Sequence, residues 1–312
     1  MSDFRYSLEK YSGMKSRFIC PHCGKRELVR YIDLEMGNYV DENVGKCNRI
    51  ENCGYHFTPK MFFEKNGIFR TYFTEKRIEI IEKETHFFDE NLLIESLHSE
   101  NQTSNLFEFL IKYFDKEKVN QTFQKYLVGV SEKYKGAVIF WQVDKDKRVR
   151  AGKIMNYNKD TGRRNKNFIS WIKRECTKTE VKQCFFGLHL IDYFKDYKIG
   201  IVESEKTALL CDIFFEEKIL WLSTGGMKGL TENKMKDLVE RSVILFPDLS
   251  SRNSKNNAFD EWKNKAKQFG EKLKMNIEIN NFLELFSDEN DKENQEDIGD
   301  FIVKNLHTEK KY

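Results

Sequence analysis

Four of the seven cysteines fall before residue 54, in two groups, Cys20-Pro21-His22-Cys23-Gly24 and Cys47-Asn48-Arg49-Ile50-Glu51-Asn52-Cys53-Gly54. An odd total crowded in this way suits a metal better than a disulfide framework. Two thiolates at C-x2-C spacing, with a glycine to make the turn after the second, form a knuckle that takes two corners of a zinc tetrahedron. Cys53-Gly54 repeats that ending, so Cys47 and Cys53 are read as the other two ligands. Their spacing is wider than a usual second knuckle, and Cys53-Gly54-Tyr55-His56 leaves His56 as an alternative to Cys47. Between the groups, Leu28-Val29-Arg30-Tyr31-Ile32-Asp33 alternates and a Gly37-Asn38 turn signal follows. That pattern predicts a hairpin, and with the knuckles a zinc ribbon over residues 1–66.

A second set of residues suits a different metal. Glu203 follows the apolar run Ile199-Gly200-Ile201-Val202, and Asp248 follows Val243-Ile244-Leu245-Phe246-Pro247. Apolar runs at 199–202, 219–222, 243–246 and 277–279 alternate with helical patterns near 208–214, 230–239 and 259–273. This predicts an α/β fold with a doubly wound parallel sheet over 198–312. Ligands of such sheets sit beyond the carboxyl ends of the strands, where Glu203 and Asp248 converge. Two acids there can hold Mg²⁺ or Mn²⁺ through oxygen. The loop Ser223-Thr224-Gly225-Gly226-Met227-Lys228-Gly229 lies on the same edge. Gly225 and Gly226 can turn backbone N–H groups toward a phosphate, with Lys228 beside them. Lys206, at a helix start, adds a point charge. Taken singly, an acid at a helix start and a Gly-Gly pair are ordinary; the shared edge is what points to catalysis.

Charge supplies a third signal. The net charge is only +3, yet residues 144–174 hold eleven Lys or Arg against three Asp, and residues 284–300 hold eight acids against one Lys. Residues 138–144 and 148–154 read as paired strands carrying Arg148, Arg150 and Lys153, followed by Arg163, Arg164 and Lys166, then Phe168 and Trp171. Cations interleaved with aromatics suit single-stranded nucleic acid, although Trp141 and Trp171 are themselves read as core. The acidic stretch is read as the cap of a last helix, 298–306. Residues 67–130 are read as a helical connector with His86 and His98 exposed, and 131–197 as a basic core segment. Composition, 39% apolar and 14% aromatic, is too rich in core residues for a disordered chain. No apolar run approaches the roughly 18 residues of a membrane span, and the start lacks a signal-peptide layout. A cytoplasmic protein is therefore expected.

Val202-Glu203-Ser204-Glu205-Lys206, the Gly225-Gly226 loop and Phe246-Pro247-Asp248 resemble a Toprim domain, the metal-binding unit of primases and topoisomerases. The resemblance implies that Glu203 and Asp248 hold the metal. The second Asp of that family's Asp-x-Asp falls on Ser250, a departure that removes one carboxylate. Residues 138–144 and 150–153, then Cys184-Phe185-Phe186-Gly187-Leu188-His189-Leu190, are similar to the segment before Toprim in bacterial replicative primases. Phe140-Trp141-Gln142-Val143-Asp144, Gly152-Lys153-Ile154-Met155 and the run from Val202 to Ala208 look like the zinc-ribbon, primase-like proteins of mobile elements in Bacteroidetes-type bacteria. That resemblance implies structural Zn²⁺ and binding of single-stranded DNA. It further implies metal-dependent joining of nucleotides into primers for replication or mobilisation of the element, with a helicase or relaxase as partner. The alternatives are a non-catalytic DNA-binding protein with a degenerate site, or a Toprim nuclease.

Overall fold

The computed structural model describes residues 5–10, 12–49, 52–66, 84–99, 102–173, 179–215, 217–251 and 257–309. The chain divides into two units, Met1–Ile81 and Glu82–Tyr312. The first part of the expected connector, residues 67–83, lies outside the described residues.

The first unit is an antiparallel sheet built around one long strand. Strands β1 (Tyr6–Leu8), β2 (Phe18–Ile19), β3 (Arg26–Asp33), β4 (Gly45–Cys47) and β5 (His56–Phe57) pair in the order β1-β3-β4-β5, with β2 also on β3. The chain turns back after β3 at Gly37, as its turn signal predicts, and Tyr39 bridges to Ile32. The interior is small: Cys20, Leu28 and Cys47 are buried, with Phe18 and Tyr55 packed against them. So little apolar area cannot hold a domain of this size alone, which is the usual setting for a metal staple. Helix α1 (Pro59–Lys65) starts with proline at its first position, and the Thr58 hydroxyl accepts from the Met61 N–H, an ordinary N-terminal cap.

In the second unit, helices α2 (Glu90–Ser96), α3 (Asn105–Leu110) and α4 (Lys116–Lys125) precede an antiparallel sheet. Its strands are β6 (Val128–Val130), β7 (Val138–Val143), β8 (Val149–Tyr157) and β9 (Arg164–Trp171), in that order. Strand β7 is buried throughout, and apolar but for Gln142, because both faces of the sheet are covered. Val138 and Phe140 face the main core, while Ile139, Trp141 and Val143 join a second cluster with Phe88, Leu93 and Ile154, following the two-residue period of a strand. Residues 84–130 are thus part of the domain rather than a connector of their own: Leu106, Leu110 and Phe123 are fully buried and β6 is a sheet strand. His98 corrects the expectation of exposure. It is buried between Phe107 and Phe123, with ring centroids 4.1 and 5.3 Å away.

The expected alternation follows. Strand β10 (Lys198–Val202), α5 (Glu205–Phe214), β11 (Ile219–Ser223), α6 (Glu232–Met235), β12 (Val243–Phe246), α7 (Ala258–Leu273) and β13 (Ile277–Ile279) build a parallel sheet of order β11-β10-β12-β13. The helix expected over 230–239 is shorter, because α6 tightens into a 3-10 turn at Lys236–Leu238. The chain closes with α8 (Phe282–Phe286), α9 (Glu289–Asn294) and α10 (Ile298–Glu309). From β10 the chain moves to β11 on one side and then to β12 on the other. The crevice between the ends of β10 and β12 is therefore the switch point at which such sheets bind ligands.

Candidate functional site

In the first unit the four thiols Cys20, Cys23, Cys47 and Cys53 converge, with all sulfurs within 4.8 Å of one another. Cys20 to Cys53 spans 3.7 Å and Cys23 to Cys47 spans 3.9 Å. A tetrahedron of Zn–S bonds has edges of about 3.8 Å, so the sulfurs already stand where zinc needs them. Gly24 and Gly54 take positive φ, +68° and +66°, directly after the second cysteine of each pair. The knuckle turn requires that conformation, and only glycine adopts it freely. A backbone N–H of Lys25 pulls the Cys23 thiol down to about 7, whereas burial pushes Cys47 up to about 12. The donor set is soft and closed, which suits structural Zn²⁺. His56 stands apart from it: its Nε2 meets the Tyr31 hydroxyl at 2.9 Å and the two rings stack. Cys47 is therefore the fourth member. His22, which the spacing did not mark, places Nδ1 3.3 Å from the Cys53 sulfur, where its N–H can donate to a metal-bound thiolate.

In the second unit Glu203 leaves the end of β10, and Asp248 stands two residues beyond β12. Glu203 is buried, and its Oε1 has no hydrogen-bond partner among the described residues. Burial lifts its carboxyl to about 7, partly opposed by the Asp248 backbone N–H and reinforced by Asp297 and Glu261. Asp248 is pushed well above the carboxylate range by burial, Glu203, Asp297 and Asp300.

Asp297 and Asp300 are the acids that sequence spacing missed. They begin α10 as a reciprocal cap: the Asp300 N–H donates to Asp297 Oδ1 at 2.8 Å, and the Asp297 N–H to Asp300 Oδ2 at 3.3 Å. The Thr207 hydroxyl of α5 donates to Asp297 Oδ2 at 2.5 Å, tying α10 to the crevice. Ser250 offers no equivalent, since its Oγ accepts from the Ala258 N–H at 2.8 Å. Lys206 sits among these acids and donates to Asp300 at 3.2 Å. Burial lowers it, but Asp297 and Asp300 more than offset this and hold the ammonium above its ordinary value. Among the described residues, the four thiols are the one potential ligand set drawn within 4.8 Å. An orphaned buried oxygen on Glu203, with Asp248 and Asp297 likewise held above the ordinary carboxylate range by burial, fits a divalent cation on chemical grounds.

The glycine loop adjoins this crevice. The Gly225 and Gly226 N–H groups donate to the hydroxyls of Ser223 and Thr224, at 3.2 and 3.3 Å, so the loop is fixed by its own side chains. Lys228 is exposed at its far end. Beneath it lie three charges of which sequence reading marked only Lys153. The Lys153 ammonium donates to both oxygens of Glu205, at 3.1 and 3.0 Å, and to the Gly225 carbonyl at 3.2 Å. Buried Lys234 donates to the Thr224 carbonyl at 3.0 Å.

Arg148 and Arg150 both pair with buried Asp144, at 3.0 and 3.2 Å, and Arg150 also donates to the Lys182 carbonyl. They clamp the β7–β8 turn; Arg150 and Lys153 are largely covered, whereas the Arg148 side chain remains 48% exposed. Arg163, Arg164 and Lys166 are exposed, and none joins a salt bridge among the described residues.

Residues 4–68 match a family described as a zinc beta-ribbon finger. Residues 104–249 match a family described as a domain of unknown function, DUF6371; that span runs from α3 through β12 and includes Glu203 and Asp248, but not Asp297. No curated protein matches the chain. Among solved structures, the primase fragment of the bacteriophage T7 primase-helicase protein is similar at 13% identity, over 84% of this chain and 88% of that one, with a TM-score of 0.36. No helix among the described residues is long and apolar enough to cross a membrane.

Proposed function

We propose that this chain is a primase-like protein that binds single-stranded DNA and joins nucleotides into short primers, using a divalent metal in the crevice between β10 and β12. One observation supports the reading above the others: the unpartnered buried oxygen of Glu203 lies at the switch point among acids from three separate segments. Glu203 and Asp248 are the residues that would hold Mg²⁺ or Mn²⁺, and Asp297 provides the negative charge that Ser250 lacks. When bound, such a metal polarises a phosphoryl group and favours attack by a 3′-hydroxyl.

The chain's own residues have separable tasks. Lys206, held by Asp300, keeps the crevice from carrying the full charge of its acids. The braced glycine loop fixes the edge on which a triphosphate would lie, and Lys228 is its accessible cation. Arg163, Arg164 and Lys166 contact template phosphates, which position a strand without reading it. Zinc keeps the ribbon folded, because a closed four-thiolate set leaves no open position for chemistry.

The test is template-directed synthesis on single-stranded DNA with ribo- and deoxyribonucleotides and Mg²⁺ or Mn²⁺. Wild type should make oligomers, and Glu203→Gln should lower the yield at least about a hundredfold, because a metal contributes several kcal/mol of charge stabilisation. Equal yield from the variant would overturn the assignment. Ser250, whose hydroxyl is occupied at Ala258, favours a second reading, a DNA-binding module without catalysis. Single-stranded DNA bound by a wild type that makes no product would select it.

A further inference from the structure

Tryptophan is costly to leave in water, and three of the four here are fully buried: Trp141 and Trp262 at 0% exposure and Trp221 at 1%. Trp171 is 38% exposed, which corrects its reading as core, and Ile169 beside it on β9 is 49% exposed. The pairing register places Trp171 opposite Lys153 and Ile169 opposite Met155. Paired residues share a face of the sheet, so Trp171 lies on the face whose Lys153 ammonium reaches Glu205 and the glycine loop. Exposed Arg163, Arg164 and Lys166 precede it on the same hairpin and Lys173 follows. On the opposite face, where Ile154 pairs with Ser170, a groove of about 430 Å³ lined by Ile139, Ile154, Ser170 and Ile172 also reaches Trp171 and Lys173.

We propose that Trp171 is a stacking platform for a base of a single-stranded nucleic acid, whose phosphates run along Arg163, Arg164 and Lys166. The inference rests on the reading that this chain binds single strands, and it assigns a residue that does the binding. An exposed indole among cations offers a base what water does not: a π-face at van der Waals contact, worth about 1–3 kcal/mol per base. The exposed cations of the hairpin suit the phosphates.

The exposure pattern provides the measurement, since only Trp171 emission is open to quenching. Oligothymidylate and oligouridylate, added without divalent metal, should quench the intrinsic fluorescence. Trp171→Phe should remove the quench, and Trp171→Ala should weaken binding about tenfold. The alanine variant should leave the slope of affinity against salt unchanged, whereas Arg163→Ala with Arg164→Ala should flatten it by about 0.7 per contact. Glu203→Gln should bind and quench like wild type, so loss of catalysis and loss of the platform are separately visible. Binding without a quench, or with wild-type affinity in Trp171→Ala, would overturn the proposal. So would a quench that follows protein concentration rather than oligonucleotide, which would mean that edge strand β9 pairs with a second copy.

Discussion

Lys153 and Glu205 face each other under the glycine loop with side-chain exposures of 8% and 1%. Either charge left alone there would be desolvated and unpaired. Lys153→Met should destabilise the second unit by about 3–5 kcal/mol in urea unfolding. The double variant with Glu205→Met should recover most of that loss, since an apolar pair of similar length escapes the desolvation cost. A lysine acting mainly on DNA would show the reverse, normal stability and impaired binding. Sequence could not show this commitment. Lys153 stands in a run of cations, and its partner Glu205 reads as an ordinary helix-start acid; only folding brings the two together. The cysteines were legible because their chemistry is local, with Cys-Pro-His-Cys-Gly and Cys-Gly writing each knuckle directly into the chain. Even so, the choice of Cys47 over His56 needed the hairpin register that sends His56 to Tyr31.

Among the elements, the strands of the parallel sheet were read within a residue, because β10 to β13 are short apolar runs, whereas β8 runs three residues past its expected end and β6 and β9 were not read as strands. The contribution of α10 was not legible. Its acids resemble a solvated cap, and nothing in their spacing says that Asp297 folds back onto Thr207. The segment between the two sheets contains a titratable pin. His189 is 5% exposed, its Nε2–H donates to the Lys125 carbonyl at the end of α4, and its Nδ1 has no partner among the described residues. Burial, with Lys147 nearby, holds the imidazole down to about 4. The unfolded chain takes up this proton near 6.5 and the folded chain near 4, so folding is opposed as pH falls between those values. The stability contribution is complete above about pH 6.5 and shrinks by up to about 3 kcal/mol on approach to pH 4. Buried His98, also lowered, acts in the same direction. Urea midpoints of His189→Gln should therefore fall less steeply than those of wild type across that window. Parallel slopes would show that His189 is not the pin.

At the scale of the whole molecule, the basic and acidic stretches are each drawn partly into the fold. Part of the basic stretch is neutralised within the fold by Asp144 and Glu205, while the β7–β8 turn and the β9 hairpin keep exposed cations. Part of the acidic stretch turns inward, and Asp297 and Asp300 act on Glu203, Asp248 and Lys206. The central claim is that acids far apart in the chain make one cation site. The most direct measurement is Mn²⁺ binding to the zinc-loaded protein, followed by the electron paramagnetic resonance signal of the free ion. Wild type should take up Mn²⁺ at a site that Mg²⁺ competes for, weakened about tenfold or more in Glu203→Gln, Asp248→Asn and Asp297→Asn alike. Uptake unchanged by all three substitutions, or no uptake by wild type, would contradict the account.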